Sequence, residues 1–369
     1  MTSPRPACAV LIGRVALRPS GRRPTLLELL THWRARSGAD GDDGTVRPVL
    51  YRHCMPDGGA VTRVYVSLPL SGPAAQHGRE MLRGARLAAE RVDIELACAD
   101  TGGRAAVKLA GAHANAAAAD PAAVAYLGDF SSRQVRSTAP ILERAGILQV
   151  APIASLEQLR SETLIRLVPG GHVGGATIGD WLLEVGAGDL LLVHDYGDDY
   201  AEPLAADIAA GARERGVEVR MRRVWDWDER AEDDLPGALA VLYVGVAGTG
   251  ADQMFAGLHA LKSELWLLGT EGIAEPWLVE ALPDVVAQRM RFFVPNKAPL
   301  ALYGFEAMGL ILDAFSDAGH DRAGVVAASR KPGGRAGAIG RYAIEPDGQV
   351  TGTSYGRLAV VGGRLVWDT

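Results

Sequence analysis

The chain of 369 residues has few of the residues that build covalently cross-linked or metal-stabilised folds. Its three cysteines, Cys8, Cys54 and Cys98, are too scattered for a disulfide framework, and no pair has the spacing of a zinc site. No stretch approaches the roughly 18 apolar residues of a membrane-spanning helix. These absences argue against a disulfide-rich scaffold, a zinc module and a helical membrane protein.

Basic charge is not in excess either. The formal net charge is −6, whereas a nucleic-acid-binding protein would normally show a basic face. The first residues, MTSPRPACAVLIGRVALRPS, contain a short apolar stretch, but Arg14 interrupts it and no small-residue cleavage site follows. Taken alone, these features predict a cytoplasmic protein that does not bind nucleic acid.

Motifs of several enzyme classes are missing as well. The sequence has no GK[ST] of a P-loop, no HExxH of a zinc protease and no CxxC. The strongest enzyme signal is LAVLYVGVAGTGADQMF, in which Gly245, Gly248 and Gly250 separate a strand pattern from a helix pattern. Gln253, however, stands where a dinucleotide-binding turn has its last glycine. We interpret this stretch as a plain turn or a ligand-lining loop.

Two further clusters were weighed for chemistry. A serine nucleophile in GDFSSRQ would need a nearby base such as His77 or His194, so structural or ligand-binding serines are the preferred interpretation. The acidic residues Asp195, Asp198 and Asp199 lack the ligand order of a calcium loop and are interpreted as solvated loop charge. The sequence therefore predicts no catalytic residues, no metal and no cofactor.

From Val61 onward, strand-like runs alternate with helical patterns. The strand-like runs are RVYVSLPL, DIELACA, AVAYLGDF, GILQVAPI, DLLLVHD, EVRMRRVW, ALAVLYVG and ELWLLGT. Because such alternation implies a parallel sheet covered by helices on both faces, the sequence predicts an α/β fold. The number of strand–helix units indicates two doubly wound sheets. Residues 1–60, rich in Arg, Pro, Gly and Asp, are predicted to be a poorly ordered extension.

Ligands of doubly wound sheets bind beyond the carboxyl ends of the strands. The loops at that position are LSGPAAQHG, GDFSSRQ, APIASLEQ, HDYGDDYAE, VGVAGTGAD and GTEGIAEP. Their Ser, Tyr, Glu and Gly residues suit a small polar molecule but include no obvious reacting group. Glu271 directly follows the strand-like WLLGT, so it is either a cap for the next helix or a partner for a ligand cation.

The order of these segments resembles the type I periplasmic binding proteins, in particular the branched-chain amino acid (Leu/Ile/Val) receptors of ABC transport systems. The resemblance covers about residues 62–368 and rests on PLSGPAAQHGREMLRGARLAAE, AYLGDFSSRQVRSTAPILERAGILQVAPIAS, LLLVHDYGDDYAEPLAADI, LLGTEGIAEPWL and LYGFEAMGLILDAF. It implies two α/β lobes joined by a three-strand hinge, with the ligand in the cleft. The expected lobes are 61–170 plus about 297–340, and 171–296 plus about 341–369.

The resemblance also implies a set of ligand-binding positions. A carboxylate would be held by a serine and by the next loop, an ammonium group by an acidic residue, and two aromatic positions would line the cleft. The positions that match are Ser131, Ser132, Ala154, Ser155, Tyr200 and Glu271, together with His77 where the family pattern has an aromatic residue.

By this resemblance, we expect a non-enzymatic solute-binding protein for an amino acid or similar small polar ligand, serving ABC-type uptake. Its partners would be that ligand and an ABC transporter permease, and it would be a monomer or a weak dimer. The resemblance implies an extracytoplasmic location, whereas the absence of a visible signal peptide leaves a cytoplasmic ligand sensor as the alternative.

Overall fold

A computed structural model describes residues 50, 51, 61–90, 92–102, 106–224, 235, 237–246 and 250–368. The predicted extension at residues 1–60 lies outside the described residues except for Leu50 and Tyr51. The acidic stretch WDWDERAEDD and Gly248 also lie outside them.

The first sheet has six strands in the order β1-β3-β2-β4-β5-β6. All neighbours in it are parallel except β1, which runs antiparallel to β3. The strands are β1 Leu50–Tyr51, β2 Arg63–Leu68, β3 Glu95–Asp100, β4 Ala123–Leu127, β5 Leu148–Ala151 and β6 Leu164–Arg166. The helices between them are α1 Ala75–Ala89, α2 Ala106–Ala119 and α3 Ser132–Arg144. Every residue of β4 is buried, which explains the continuous apolar run there.

The second sheet has seven strands in the order β16-β15-β11-β10-β9-β7-β8. Its strands are β7 Asp189–His194, β8 Glu218–Arg223, β9 Ala240–Val244, β10 Trp266–Thr270, β11 Met290–Val294, β15 Gly356–Val361 and β16 Arg364–Trp367. Its helices are α4 Gly171–Glu184, α5 Ala201–Glu214, α6 Ala251–Leu261, α7 Pro276–Glu280 and α8 Asp284–Ala287. The five strands from β7 to β11 are parallel to one another. Strand β15 runs antiparallel to its neighbour β11, and β16 runs antiparallel to β15.

Both sheets reverse their strand order at one point. In the first sheet the chain places β3 on one side of β2 and then crosses to β4 on the other, and in the second sheet β8 and β9 flank β7 in the same way. Ligands bind at such reversal points, outside the carboxyl ends of the strands. The loops after β2, β4, β7 and β9 are therefore the expected walls of a binding cleft.

The rest of the chain packs mainly on the first sheet. It comprises α9 Leu300–Ala318, α10 Arg322–Ser329 and a small sheet of β12 Arg335–Gly337, β13 Gly340–Ile344 and β14 Val350–Thr351. Helices α1 and α9 pack so closely that a Cβ added at Gly84 would lie 1.8 Å from the Ala301 carbonyl oxygen. On the facing helix, a Cβ at Gly304 would lie 2.0 Å from the Met81 carbonyl oxygen. Glycine at both positions permits this contact.

The predicted boundaries of the two lobes stay predictions, and the packing suggests a refinement. Tyr342 and Val350 lie in the same buried cluster as Val64 and Leu127 of the first sheet, whereas β15 pairs with β11 of the second. The Tyr342 hydroxyl also donates a hydrogen bond of 2.7 Å to Glu306 Oε1 on α9. We therefore propose that the final crossing to the second lobe follows β14 instead of falling near residue 341.

The predicted α/β architecture with two separate, mainly parallel sheets is confirmed. One buried apolar cluster joins the two lobes, because it combines Ala154 and Leu156 with Tyr200, Leu204 and Tyr355. Within the described ranges, no helix has both the length and the apolar character of a membrane span.

Candidate functional site

Glu271 lies between the two lobes. It follows β10 and begins a short 3-10 turn, Glu271–Ile273. Its Oε1 accepts a hydrogen bond of 2.6 Å from the Ser155 hydroxyl of the first lobe and one of 2.8 Å from the Tyr200 hydroxyl of the second. Its Oε2 is inaccessible to solvent and has no hydrogen-bond partner among the described residues. One carboxylate oxygen thus links the lobes, and the other has no bond.

The surroundings of Glu271 disfavour its charged form. Burial raises the pKa of its carboxyl group above the usual range, and the hydroxyl groups of Ser155 and Tyr200 act in the opposite direction. A buried acceptor without a partner is costly and calls for a donor. Neither the 3-10 turn that Glu271 begins nor the following helix α7 has a side-chain cap bond, so Glu271 does not serve as a helix cap. Of the two roles left open by the sequence, its geometry supports a partner for a ligand N–H group.

Tyr200 stands directly before α5, in the loop after β7. The Asp198 Oδ1 atom accepts hydrogen bonds from the backbone N–H groups of Tyr200, at 2.8 Å, and Ala201, at 3.1 Å, which fixes the start of the helix. Burial raises the pKa of the Tyr200 hydroxyl well above its ordinary value, and the neighbouring Glu271 carboxylate raises it further. The hydroxyl therefore stays protonated and donates to Glu271.

Ala154 and Ser155 belong to the loop after β5, residues 152–156, which we call the ligand loop. Both residues are buried, at 1% exposure each. The Ala154 carbonyl accepts a hydrogen bond of 3.0 Å from Arg166 Nη1. The Ser155 hydroxyl donates to Glu271, so the ligand loop is part of the contact between the lobes.

Ser131 and Ser132 stand at the start of α3. Ser131 is the N-cap residue and forms a capping box with Gln134, so its hydroxyl is used within the helix end. The Ser132 hydroxyl accepts a hydrogen bond of 3.3 Å from the Leu156 backbone N–H of the ligand loop. A hydroxyl has one proton to donate, and this bond does not use it. Ser132 is consequently better placed than Ser131 to donate to a ligand.

His77 lies on α1, near the loop after β2. Its ring is stacked on Phe130 with centroids 6.1 Å apart and an interplanar angle of 12°. Its Nδ1 lies 3.9 Å from Glu275 Oε1 in the second lobe. A Cβ at the next residue, Gly78, would lie 1.9 Å from the Pro69 carbonyl oxygen, so glycine is needed for the helix to start this close to β2. These contacts place His77 at the interlobe edge.

Three further ion pairs connect the lobes. Arg133 on α3 pairs with Asp198, and its Nε lies 3.1 Å from Asp199 Oδ1. Arg136, one turn further along α3, places Nη1 3.1 Å from Asp199 Oδ2. We call these contacts the interlobe ion pairs. The prediction of solvated loop charge is wrong for Asp198, whose side chain is 13% exposed and pairs with Arg133 across the cleft. Asp199 is 58% exposed and therefore solvated as predicted, although it also pairs with both arginines.

Asp195, the third member of that acidic cluster, is like Asp198 not solvated. It is 8% exposed, and its Oδ1 accepts a hydrogen bond of 2.6 Å from the Tyr243 hydroxyl. The described part of the chain contains no group of three or more His, Cys, Asp or Glu side chains arranged to hold a metal ion.

Sequence reasoning missed Tyr355, which lies on the last crossing between the lobes. The residue is 1% exposed, and its hydroxyl has no hydrogen-bond partner within the described ranges. Burial raises the pKa of this hydroxyl well above its ordinary value, and the Glu271 carboxylate adds to the effect. Tyr355 is therefore a second buried polar group close to Glu271. No loop inspected in the sequence contained it, because it precedes a strand instead of following one.

GTSYG, residues 352–356, also matches the GxSxG pattern of hydrolases. A nucleophile elbow places its serine between a strand and a helix. Ser354 instead lies between β14 and β15, with no helix after it. His194 has its Nδ1 hydrogen-bonded to the Asp195 carbonyl oxygen at 2.9 Å, and within the described ranges no hydrogen bond joins it to Ser131 or Ser132. The match to the pattern therefore does not indicate a hydrolase site.

Comparison with known proteins supports the resemblance seen in the sequence. Residues 63–227 match the model of a family described as periplasmic binding protein. That segment contains the first sheet from β2 onward and the start of the second. No curated protein sequence matches the chain closely enough to count as a relative.

Solved structures share the fold over nearly their whole length. A leucine binding protein, LivK, from Thermotoga maritima is 20% identical, with a TM-score of 0.70 over 84% of this chain and 98% of that one. An ABC transporter substrate-binding protein from Desulfitobacterium hafniense, solved with Leu, is 18% identical, with a TM-score of 0.69 over 83% and 99%. A solute-binding protein from R. palustris, solved with benzoate, is 16% identical, with a TM-score of 0.64 over 83% and 95%. The predicted resemblance to the periplasmic binding proteins is confirmed, and the fold is theirs.

Proposed function

We propose that this protein is a non-enzymatic solute receptor that holds an amino acid or similar small polar ligand between its two lobes. The observation that carries the proposal is Glu271, whose buried carboxylate is bonded from both lobes through Oε1 and has no partner at Oε2 in the part of the chain that the structure describes. A ligand ammonium group would supply the missing donor. A charge-assisted hydrogen bond of this kind is worth about 1.5–3 kcal/mol.

The opposite end of the ligand is assigned to the start of α3. A carboxylate is stabilised at a helix N-terminus by unpaired backbone N–H groups and by the helix dipole. Ser132 adds a hydroxyl proton there, and its bond to the Leu156 N–H links it to the ligand loop. Ser131 contributes by capping the helix, while Ala154, Ser155, Tyr200 and His77 form the walls.

The mechanism follows from the position of these groups on two lobes. Ser155 belongs to the first lobe, and Tyr200 and Glu271 belong to the second, so a complete site exists only when the lobes are together. A ligand that contacts both lobes selects the closed state over the open one. Release without chemical change then requires only reopening.

The ligands of the neighbouring structures guide the choice of ligand class. Leucine and benzoate, the ligands in two of them, are both small carboxylates. A free buried acceptor at Glu271 favours the ligand that also carries an amino group. By the same resemblance the receptor would serve an ABC permease outside the cytoplasm as a monomer or weak dimer. A cytoplasmic ligand sensor on the same fold is the alternative.

Thermal-shift measurements against the L-amino acids and benzoate test the proposal, with calorimetry on the best compound. A ligand that binds only the folded state raises the melting temperature as its concentration increases. Glu271→Gln, which keeps the shape of the side chain, should weaken amino acid binding at least tenfold. Asp317→Asn, which changes an exposed carboxylate on α9, should leave it unchanged. Equal affinity of the wild type and Glu271→Gln would refute the assignment of Glu271.

A further inference from the structure

Arg166 ends β6, where the chain leaves the first sheet. Its side chain is among the largest that are fully buried, at 1% exposure. Burial lowers the pKa of its guanidinium group. None of the ion pairs among the described residues includes it, and its Nε has no hydrogen-bond partner there. The Glu157 and Asp347 carboxylates act against this lowering of the pKa. Burying a cation is costly even so, and the hydrogen bonds that the guanidinium makes require an explanation.

Those bonds join two separate segments. Nη1 donates to the Ala154 carbonyl of the ligand loop, and Nη2 donates to Gln349 Oε1 in the turn between β13 and β14, both at 3.0 Å. The Arg166 backbone N–H donates to the Gly348 carbonyl of the same turn at 2.9 Å. The guanidinium is therefore a buried bridge from β6 and the β13–β14 turn to the ligand loop.

The ligand loop is held at three consecutive residues by three different elements. Ala154 is held by Arg166, Ser155 is bonded to Glu271, and the Leu156 N–H donates to Ser132. The last two contacts involve residues of the proposed ligand site. The first reaches the site only through the Ala154 backbone, since Arg166 donates to that carbonyl and, among the described residues, forms no hydrogen bond with any of the proposed ligand-binding side chains.

We infer that Arg166 is a positioning residue, which fixes the ligand loop so that Ser155 meets Glu271 and Leu156 meets Ser132 when the lobes close. This inference rests on the proposed function for its binding consequences, but its structural claim can be measured without any ligand. Ser155 and Leu156 follow Ala154 directly, so a shift of the Ala154 carbonyl displaces both. The bridge therefore acts on affinity through loop geometry.

A matched control exists in the same lobe. Arg322 on α10 also donates to backbone carbonyls, namely those of Asp120 at 2.6 Å, Ala123 at 2.9 Å and Ala145 at 3.2 Å. These acceptors lie at the edge of the first sheet where the parallel strands β4 and β5 begin. The ligand loop lies at the opposite edge, because it follows the carboxyl end of β5. Arg322→Met should thus destabilise the lobe without altering the loop.

The first experiment is hydrogen exchange on the ligand-free full chain, followed by mass spectrometry of peptides that cover residues 152–158. Arg166→Met should accelerate hydrogen exchange in this segment at least tenfold relative to the rest of the lobe. Arg166→Lys should have an intermediate effect, because a single ammonium group cannot reach both acceptors at once. Gln349→Ala removes only the acceptor of Arg166 Nη2 and should give a smaller acceleration of exchange. It provides a second test of the inference if Arg166→Met fails to fold. Arg322→Met should leave this segment unchanged.

The second experiment is a double-mutant cycle on binding of the L-amino acid that binds the wild type most tightly. If Arg166 acts through the ligand loop, Arg166→Lys and Ser155→Ala should be non-additive, with the double variant no weaker than the worse single variant. Multiplicative losses of affinity would overturn the inference, as would unchanged exchange at residues 152–158 in both Arg166→Met and Gln349→Ala. If no amino acid binds the wild type, the proposed function fails, while the exchange experiment still decides the role of Arg166.

Discussion

Removing the interlobe ion pairs should weaken ligand binding although none of their members is assigned to the ligand. The perturbation is Arg133→Gln combined with Arg136→Gln, which leaves Asp198 and Asp199 without their arginine partners. In the closed state these arginines on α3 reach the loop after β7. In the open state the lobes separate and the same groups are solvated, so the loss falls on the closed state alone.

The magnitude follows from the exposure of each pair. Arg133, Arg136 and Asp199 are 40%, 41% and 58% exposed, and such pairs contribute about 0.2–1 kcal/mol each. The Arg133–Asp198 pair is better shielded, because Asp198 is 13% exposed. Together they should favour closure by about 1–2 kcal/mol, which corresponds to a loss of affinity of roughly 5- to 30-fold in the double variant. This holds when the ligand-free receptor is mainly open.

The assay is calorimetry with the tightest L-amino acid at low and high NaCl, accompanied by small-angle scattering of the ligand-free protein. Wild-type affinity for a net-neutral amino acid should fall as salt screens the pairs, and the double variant should show a much weaker salt dependence. Lys331→Gln is the matched control, because Lys331 pairs with Asp317 within the first lobe at 2.8 Å. It should change neither affinity nor salt dependence.

Equal affinity and equal salt dependence in the wild type and the double variant would refute the reasoning. A charge exchange provides a further check: Arg136→Asp should weaken binding, and Asp199→Arg added to it should recover part of the loss. If Asp199→Arg does not recover the affinity and the scattering curve of the ligand-free Arg136→Asp variant matches that of the wild type, the effect of Arg136 is local to α3 and unrelated to closure of the lobes.

Three other perturbations have defined outcomes. Burial raises the pKa of Asp129 to about 6, so its contribution to stability is full near pH 4 and is lost as the pH rises through 6. The unfolding free energy of the wild type should fall by about 2 kcal/mol relative to Asp129→Asn between pH 4 and pH 6, and a pH-independent difference in urea unfolding would contradict this. Gly272→Ala would place a Cβ 2.1 Å from the Gly245 carbonyl oxygen, so it should lower the melting temperature and amino acid affinity together; unchanged values for both would show that the loops separate freely. Tyr200→Phe removes a donor to Glu271 and should raise the pKa of that carboxyl further, so amino acid binding should fail at a higher pH than in the wild type. Calorimetry between pH 5 and 8 would show this shift, and coincident pH profiles would count against a functional Tyr200–Glu271 bond.

Strands β2 to β5 and β7 to β10 could be predicted, and the clearest local signature comes from strands that are buried on both faces. Residues 123–127 and 240–244 are apolar throughout, and both form fully buried parallel strands. The small sheet of β12, β13 and β14 had no comparable signal. Its residues are mostly exposed or half-buried, and Tyr342 is buried by packing on the first sheet, with Glu306 of α9 as the acceptor for its hydroxyl.

The candidate site was predicted unevenly. The loops that follow strands contained Ser155, Tyr200 and Glu271, because the carboxyl ends of parallel strands share one edge. Tyr355 and Arg166 were missed, since one precedes a strand and the other ends one without a polar loop after it. The acidic loop after β7 was misinterpreted because its partners, Arg133 and Arg136, lie more than sixty residues away along the chain.

The sequence by itself determined the alternation of strands and helices in the two large sheets, because the spacing of apolar residues along a strand or helix is a local property. Together with the order of its loops, it also determined the family that the chain resembles. Tertiary structure alone decided which polar groups meet. The Ser155 and Tyr200 hydroxyls reach the same Glu271 oxygen from different lobes, and the buried Arg166 guanidinium finds its acceptors on two distant segments. Hydrogen bonds and ion pairs act over a few ångströms in space, and residue spacing along the chain does not contain those distances.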